Sequence, residues 1–281
     1  MSIDIVCVAD GPRISLGVAL NILVSQRSCP GAKFSIMIPE NGGFGSACAE
    51  EVIRKFAHEI ISIPAPTLLV EDKLYRIENK INALRFAGNR KAILADSDTL
   101  ILRTLPSSFL FRDVPSVVPE HGKHEFPWER LHENFNLNMS SVEVLLGGNE
   151  ISNPWMNAGF VVCPNAEQLG NVWRTIAEEV NNLSWVPERW PYLDQISLPL
   201  AIAALSPERR FQHSSVLPEK FNQNIFYWRD DQHYVKDGFV IHHHNRVKLL
   251  EKYVPNVIIW VRELYPIIDN VIAELRAFDE N

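Results

Sequence analysis

Through its first hundred residues the chain alternates short apolar runs with stretches of helical period. Ile3 to Val8 is apolar apart from Asp4 and predicts a buried strand, and Leu16 to Leu23 predicts an apolar helix face. Lys33 to Ile38 predicts a second strand, closed by the turn residues Pro39-Glu40-Asn41-Gly42-Gly43. Ala47 to Ala57 predicts a second helix and Glu59 to Ile63 a third strand. Leu74, Ile77, Ile81 and Leu84 keep helical spacing, and an apolar strand from Ala92 to Leu94 then runs into Asp96. Strand and helix signals in this order predict an α/β unit with a doubly wound, mainly parallel sheet, whose ligands bind at the carboxyl ends of the strands.

Residues 112 to 153 break the pattern. They are polar, rich in His, Asn, Glu and Trp, and show no period, which predicts a binding-loop or lid insertion. Beyond them, Trp155 to Val162 reads as a turn entering a strand, and Glu167 to Val180 as an amphipathic helix through Leu169, Val172, Trp173, Ile176 and Val180. Asp194-Gln195 stands at the start of another helix, and Gly238 to His244 reads as a short strand ending in histidines. Val257 to Phe278 reads as a helix-rich tail. Without repeats, low-complexity tracts or a Pro/Ser linker, the simplest partition is one domain over residues 1 to 250. Residues 251 to 281 then form a helical extension packed on that domain.

The 281 residues carry a net charge of -7 and no Lys/Arg block, which argues against a nucleic-acid binder. Cys7, Cys29, Cys48 and Cys163 have no C-x-x-C spacing, so neither a disulfide framework nor a zinc cluster is expected. No signal-peptide pattern opens the chain, and no apolar run approaches the roughly 18 residues of a spanning helix. These features predict a cytoplasmic protein, with peripheral docking at the inner face of a membrane left open.

Asp96 and Asp98 are the most informative pair. Side chains at i and i+2 of an extended segment share a face, and two carboxylates close together need a compensating charge such as a divalent cation. The plain alternative is a turn with one solvated and one capping Asp. Alternation along the late strand puts His242 and His244 on one face, which leaves these two as the candidate imidazole ligands and His243 as the least suited. A carboxylate and imidazole set suits manganese, or magnesium, better than calcium. Asn157 and Gly159 suit a sugar site through amide hydrogen bonding and close backbone approach, or simply a tight turn. Lys80 and Lys248 can supply fixed positive charge, although Lys80 also fits the polar face of its helix beside Arg76. His121, His124, Trp128 and His132 are candidates for a platform that accepts a sugar ring, since aromatic and imidazole faces suit such rings. Phe226, Tyr227 and Trp228 read as packing residues.

The order of these motifs resembles glycosyltransferase family 8, whose members include glycogenin and bacterial lipooligosaccharide α-galactosyltransferases. The resemblance spans roughly residues 3 to 250. It implies a GT-A fold with a mixed central sheet, flanking helices and a helical carboxyl-terminal tail. It also implies retaining transfer of a hexosyl unit from a nucleotide-diphosphate sugar, with UDP as the expected nucleotide. Under it, Ala9 and Asp10 meet the nucleoside, and Asp96-Ser97-Asp98 with His242 bind the metal. Lys80 and Lys248 lie on the diphosphate side, Asn157-Ala158-Gly159 contacts the donor sugar, and Asp194-Gln195 stands beside the anomeric carbon. The acceptor is a hydroxyl of a carbohydrate, a lipid-linked glycan or a protein, and homo-oligomerisation is left open. The sequence departs from the family in two places: Gly11-Pro12-Arg13 replace the aromatic that stacks on uracil, and Asn245 and Leu249-Leu250 replace the Gly and the Pro-Trp around Lys248. A haloacid-dehalogenase-like phosphatase is a competing reading, weakened by Leu100 four residues after the first Asp. A nucleotide-sugar-binding protein without turnover is another.

Overall fold

The computed structural model describes residues 2–120, 126–139, 142–146, 149–152, 155–225, 238–244 and 246–279. His121, His124, Phe226, Tyr227, Trp228, Asn245 and Glu280 lie outside the described residues. In chain order the elements are β1 (Ile3–Val8), α1 (Pro12–Ser28), β2 (Ala32–Pro39), α2 (Ala47–Phe56), β3 (Glu59–Ile63), β4 (Leu69–Val70), β5 (Lys73–Leu74), α3 (Glu78–Phe86), β6 (Ala92–Ala95) and β7 (Thr99–Ile101). There follow β8 (Ser116–Glu120), α4 (Trp128–Asn134), β9 (Glu143–Leu146), β10 (Asn149–Ser152), β11 (Trp155–Cys163), α5 (Ala166–Asn182) and α6 (Arg189–Leu205). The chain closes with β12 (Gln223–Asn224), β13 (Val240–His242), α7 (Val247–Tyr253), α8 (Pro255–Arg262) and α9 (Ile268–Asp279). The fold is α/β with mixed strand pairing, divided into two compact units.

The first unit comprises Met1–Ala65, Ile93–Leu110 and Glu219–Asn281. Its parallel strands run in the order β3-β2-β1-β6. Val6 pairs with Leu94, so β1 and β6 deliver Asp10 and Asp96 to the same end of neighbouring strands. The apolar face predicted at Leu16 to Leu23 belongs to a longer helix, with Pro12 in its first turn, where a missing N–H costs nothing. α1 is buried almost all round because it packs on α2, α8, α9 and β7 as well as the parallel strands. A smaller sheet, β12-β13-β7, pairs His242 with Thr99 across its antiparallel edge.

The second unit comprises Pro66–Ala92 and Phe111–Pro218. Here β11 runs antiparallel to β8, with a shift of register between Asn157 and Val161. α5 packs against α3 and α6, and α6 covers β11. Close approach of α3 and α5 depends on Gly170, where a Cβ would lie 2.5 Å from the backbone nitrogen of Arg85. Trp173 fills the α5–α6 interface completely buried, and its indole N–H donates to the Ser197 hydroxyl at 2.9 Å.

Three local expectations need correction. The helix predicted from Leu74 begins at Glu78, because Leu74 pairs with Leu69 in a hairpin closed by Glu71 and Asp72, both at positive φ (51° and 62°). The aperiodic stretch 112 to 153 contains β8 and α4, hidden from a period-2 reading because β8 is buried at nearly every position. Trp155 to Asn157 is strand and not turn, since the whole of β11 is buried.

Candidate active site

In the first unit, Asp96 closes β6 and Ser97 and Asp98 turn the chain into β7. Ser97 and Thr99 are buried, while Asp96 and Asp98 are half-buried. The turn is anchored from below. Backbone and hydroxyl of Thr99 both donate to the Asp96 carbonyl, at 3.2 and 2.7 Å, and the buried Asn21 amide of α1 donates to the same hydroxyl at 3.4 Å. Across the small sheet, the backbone N–H of His243 donates to the Asp98 carbonyl at 2.8 Å. The turn is therefore held through the carbonyls of Asp96 and Asp98, which leaves the Asp98 side chain for the histidines.

Nε2 of His242 lies 3.1 Å from Oδ1 of Asp98. The rings of His242 and His244 stack, with centroids 4.2 Å apart and an interplanar angle of 18°. His244 reaches this position with φ of 52°, a left-handed conformation uncommon for a residue with a side chain. One ligand atom each from Asp98, His242 and His244 lies within 4.8 Å of the others, and among the described residues this is the group able to hold a metal ion. It contains Asp98, His242 and the alternative ligand His244; Asp96 is not among its members. A carboxylate and two imidazoles is a donor set that fits a manganese-type ion. Burial would raise the Asp98 carboxyl, but the charge and hydrogen bond of His242, with the charge of His244 beside it, hold it well below the usual carboxylate range. Completely buried His243 is pushed down to about 3, first by burial and against the pull of Asp98, so it stays neutral.

Also in the first unit, Ala9 is buried and its N–H donates to the Met37 carbonyl at 2.9 Å, while Asp10 is half-buried. Gly42 closes on Asp10: a Cβ there would lie 2.9 Å from the carboxylate Oδ1. Asp96 adds its charge to burial in raising the Cys7 thiol far above its ordinary range. Lys248 is exposed in the first turn of α7.

The second unit holds the remaining candidates. Asp194 is buried at 2 % exposure in the first regular turn of α6, after a kink at Trp190 and Tyr192, and Gln195 beside it is half-exposed. Nζ of Lys80 lies 3.4 Å from Asp194 Oδ2, so the two residues form a pair. Asn157, Ala158 and Gly159 are all buried in β11. The Asn157 amide donates to Glu120 at 2.9 Å, and its oxygen accepts from the Gly159 N–H at 2.7 Å. Trp128 and His132 are buried too, Trp128 in a cluster with Phe126 and Trp155, so their faces are not open as the acceptor platform expected of them. Sequence reasoning missed Tyr75 and Glu120, which touch Asp194 and Asn157. The acid just after the apolar pair Val117-Val118 was the one signal for Glu120; a lone Tyr before a helix gives none.

The family model of the Rhodobacterales glycosyltransferase domain matches residues 5–206, more than half of the chain. The chain belongs to this family of glycosyltransferases. The matched segment of the glycosyltransferase includes Asp10, Lys80, Asp96, Asp98, Asn157, Asp194 and Gln195, and ends before His242. No curated protein matches its sequence. Among solved structures, an active-site mutant of LgtC aligns over 86% of this chain and 87% of that one, at 14% identity and a TM-score of 0.54. GlyE of Streptococcus pneumoniae aligns over 96% of this chain and 64% of its own, at 12% identity and a TM-score of 0.53. The bifunctional WbbM aligns over 86% of this chain and 45% of its own, at 11% identity and a TM-score of 0.52. At such identities the likeness is one of fold, and that fold is GT-A, with a mixed sheet and flanking helices. No helix among the described residues is long and apolar enough to cross a membrane.

Proposed function

We propose that this glycosyltransferase is a metal-dependent, retaining enzyme of glycosyltransferase family 8 type, moving a hexosyl unit from a UDP-sugar to a hydroxyl acceptor. The observation that carries the reading is the convergence of Asp98, His242 and His244 on a point within reach of all three. Those residues would hold Mn2+ or Mg2+, with Asp96 as an additional carboxylate beside them. A bound divalent ion neutralises the charge that builds on a departing diphosphate.

The chain's own residues account for the rest of the reading. Asp10, at the end of β1 and pressed by Gly42, offers a fixed acceptor to the uracil N–H, with Ala9 beside it. Lys248 and Lys80 add positive charge on the diphosphate side, Lys80 being shared with Asp194. The Asn157-Ala158-Gly159 strand and the Glu120 carboxylate held by Asn157 present hydrogen-bonding groups to sugar hydroxyls. Asp194 holds the sugar, and the half-exposed Gln195 amide faces the anomeric carbon. Two of the similar structures support the donor and acceptor classes: LgtC, a galactosyltransferase, was solved with donor and acceptor sugar analogues, and a Gln-to-Glu mutant of it is described as an active-site mutant. The acceptor is a carbohydrate, lipid-linked glycan or protein hydroxyl.

The test is hydrolysis of UDP-glucose and UDP-galactose with Mn2+, repeated in excess chelator and in Asp98→Asn. Turnover that vanishes in both supports the reading; turnover undiminished by the chelator would sink it.

A further inference from the structure

Tyr75 is fully buried directly after β5, three residues before α3, and its hydroxyl is placed among three partners. The Asp194 backbone N–H donates to Oη at 2.9 Å; Oη in turn lies 2.8 Å from Asp194 Oδ1 and 3.0 Å from the Pro191 carbonyl. A phenol has one proton and, having accepted from the amide, it has that proton to give. The shorter distance and the ionised acceptor direct it to Oδ1, where the bond is charge-assisted. The two carboxylate oxygens of Asp194 are thereby made different. Oδ1 is fixed by Tyr75, while among the described residues Oδ2 meets Lys80 Nζ, at a long 3.4 Å and on a half-exposed side chain.

The amide contact matters as much. The first N–H groups of a helix have no carbonyl four residues back to bond, and Glu188, which precedes α6, supplies no side-chain cap. Tyr75 satisfies the Asp194 N–H from outside the helix, immediately after the kink at Trp190 and Tyr192. One oxygen atom thus pins both the carboxylate of Asp194 and the start of the regular turn that carries Gln195. The ring's packing needs no hydroxyl: its edge contact with Trp190, at 5.9 Å between centroids, would serve a phenylalanine equally well.

We propose that Tyr75 is a positioning residue of the transfer reaction, acting through Asp194 to set the orientation in which Asp194 and Gln195 meet the donor sugar. The inference rests on the roles given above to Asp194 and Gln195.

The experiment compares the full-length wild type with Tyr75→Phe, Asp194→Asn and the double variant, using Mn2+ and UDP-glucose or UDP-galactose with water as acceptor, and calorimetric UDP binding as a control. Tyr75→Phe is expected to bind UDP within about twofold of wild type and to lose kcat by about ten- to a hundredfold, the scale of one charge-assisted hydrogen bond, with little change in KM. In the Asp194→Asn background the same change should cost less than about twofold, because contacting residues are not additive. Arg174→Met, which takes the ion-pair partner from the buried Glu78 carboxylate in the same unit, should lower stability and spare kcat. If Tyr75→Phe does not fold, Tyr75→His takes its place: kcat well above the Asp194→Asn level supports the role, and kcat at that level overturns it. Wild-type kcat in Tyr75→Phe, or penalties that multiply in the double variant, would overturn the inference alone. A wild type that hydrolyses neither donor would overturn the reading of Asp194 and Gln195 beneath it.

Discussion

Nε2 of His242 and Oδ1 of Asp98 lie 3.1 Å apart although 144 positions separate the two residues, because β13 and β7 pair antiparallel with His242 opposite Thr99. The strand register, and not the proximity of either residue to its own neighbours, creates the group able to hold a metal. Asp98→Asn or His242→Ala is therefore expected to lower Mn2+ affinity by more than the roughly 10- to 100-fold typical of residues that only support a ligand. Mn2+ titration by calorimetry or electron paramagnetic resonance checks it. Because imidazoles must be neutral to bind a metal, wild-type affinity should also fall as pH is lowered from 7.5 to 5.5.

Gly42→Ala tests the nucleoside end. A Cβ would lie 2.9 Å from Asp10 Oδ1 and 3.1 Å from the Pro39 carbonyl, so either the loop or the carboxylate must move. UDP affinity should drop several-fold while Mn2+ affinity stays at the wild-type value. Equal losses in both would show that Gly42 acts on the unit as a whole and not through Asp10.

Gly170→Ala is expected to destabilise the protein by about 1–3 kcal/mol, the usual cost of overpacking. Its Cβ would meet the Arg85 backbone nitrogen at 2.5 Å, and backbone gives way less readily than a side-chain end. Urea denaturation measures the change.

His132 carries the pH prediction for stability. Burial lowers its proton affinity, and the hydrogen bond with the Trp128 carbonyl offsets this in part, so the folded state takes up a proton at lower pH than the unfolded state does. Below the unfolded value of about 6.5 the unfolded chain binds more protons, and stability falls as pH falls until the folded group protonates as well. Between pH 7.5 and 5 the wild type should lose more stability than His132→Gln does. Parallel curves would contradict the assignment.

The first three strands were legible because each is a short apolar run with a turn signal after it; β3 occupies the predicted Glu59–Ile63 span without change. The helix at Leu74 was not, because Leu74 extends the helical spacing of Ile77, Ile81 and Leu84 by chance. The hairpin that holds it turns on Glu71 and Asp72, without the Gly or Asn that usually marks such a turn. β8 contains Pro119, which argues against a strand in sequence yet is tolerated in this one. At the site, alternation named His242 and His244 together, but the left-handed turn that stacks their rings, with His244 at φ 52°, lies beyond β13 and has no period to read. Tyr75 could not be found that way: its partner Asp194 is 119 residues distant, and a buried tyrosine looks in sequence like any other core aromatic.

The most direct test of the account is UDP binding by calorimetry, with and without Mn2+, in the wild type and in Asp98→Asn. The account predicts UDP binding that requires Mn2+ in the wild type and is lost in the variant. UDP binding of equal strength with and without the metal, or no UDP binding under either condition, would contradict it.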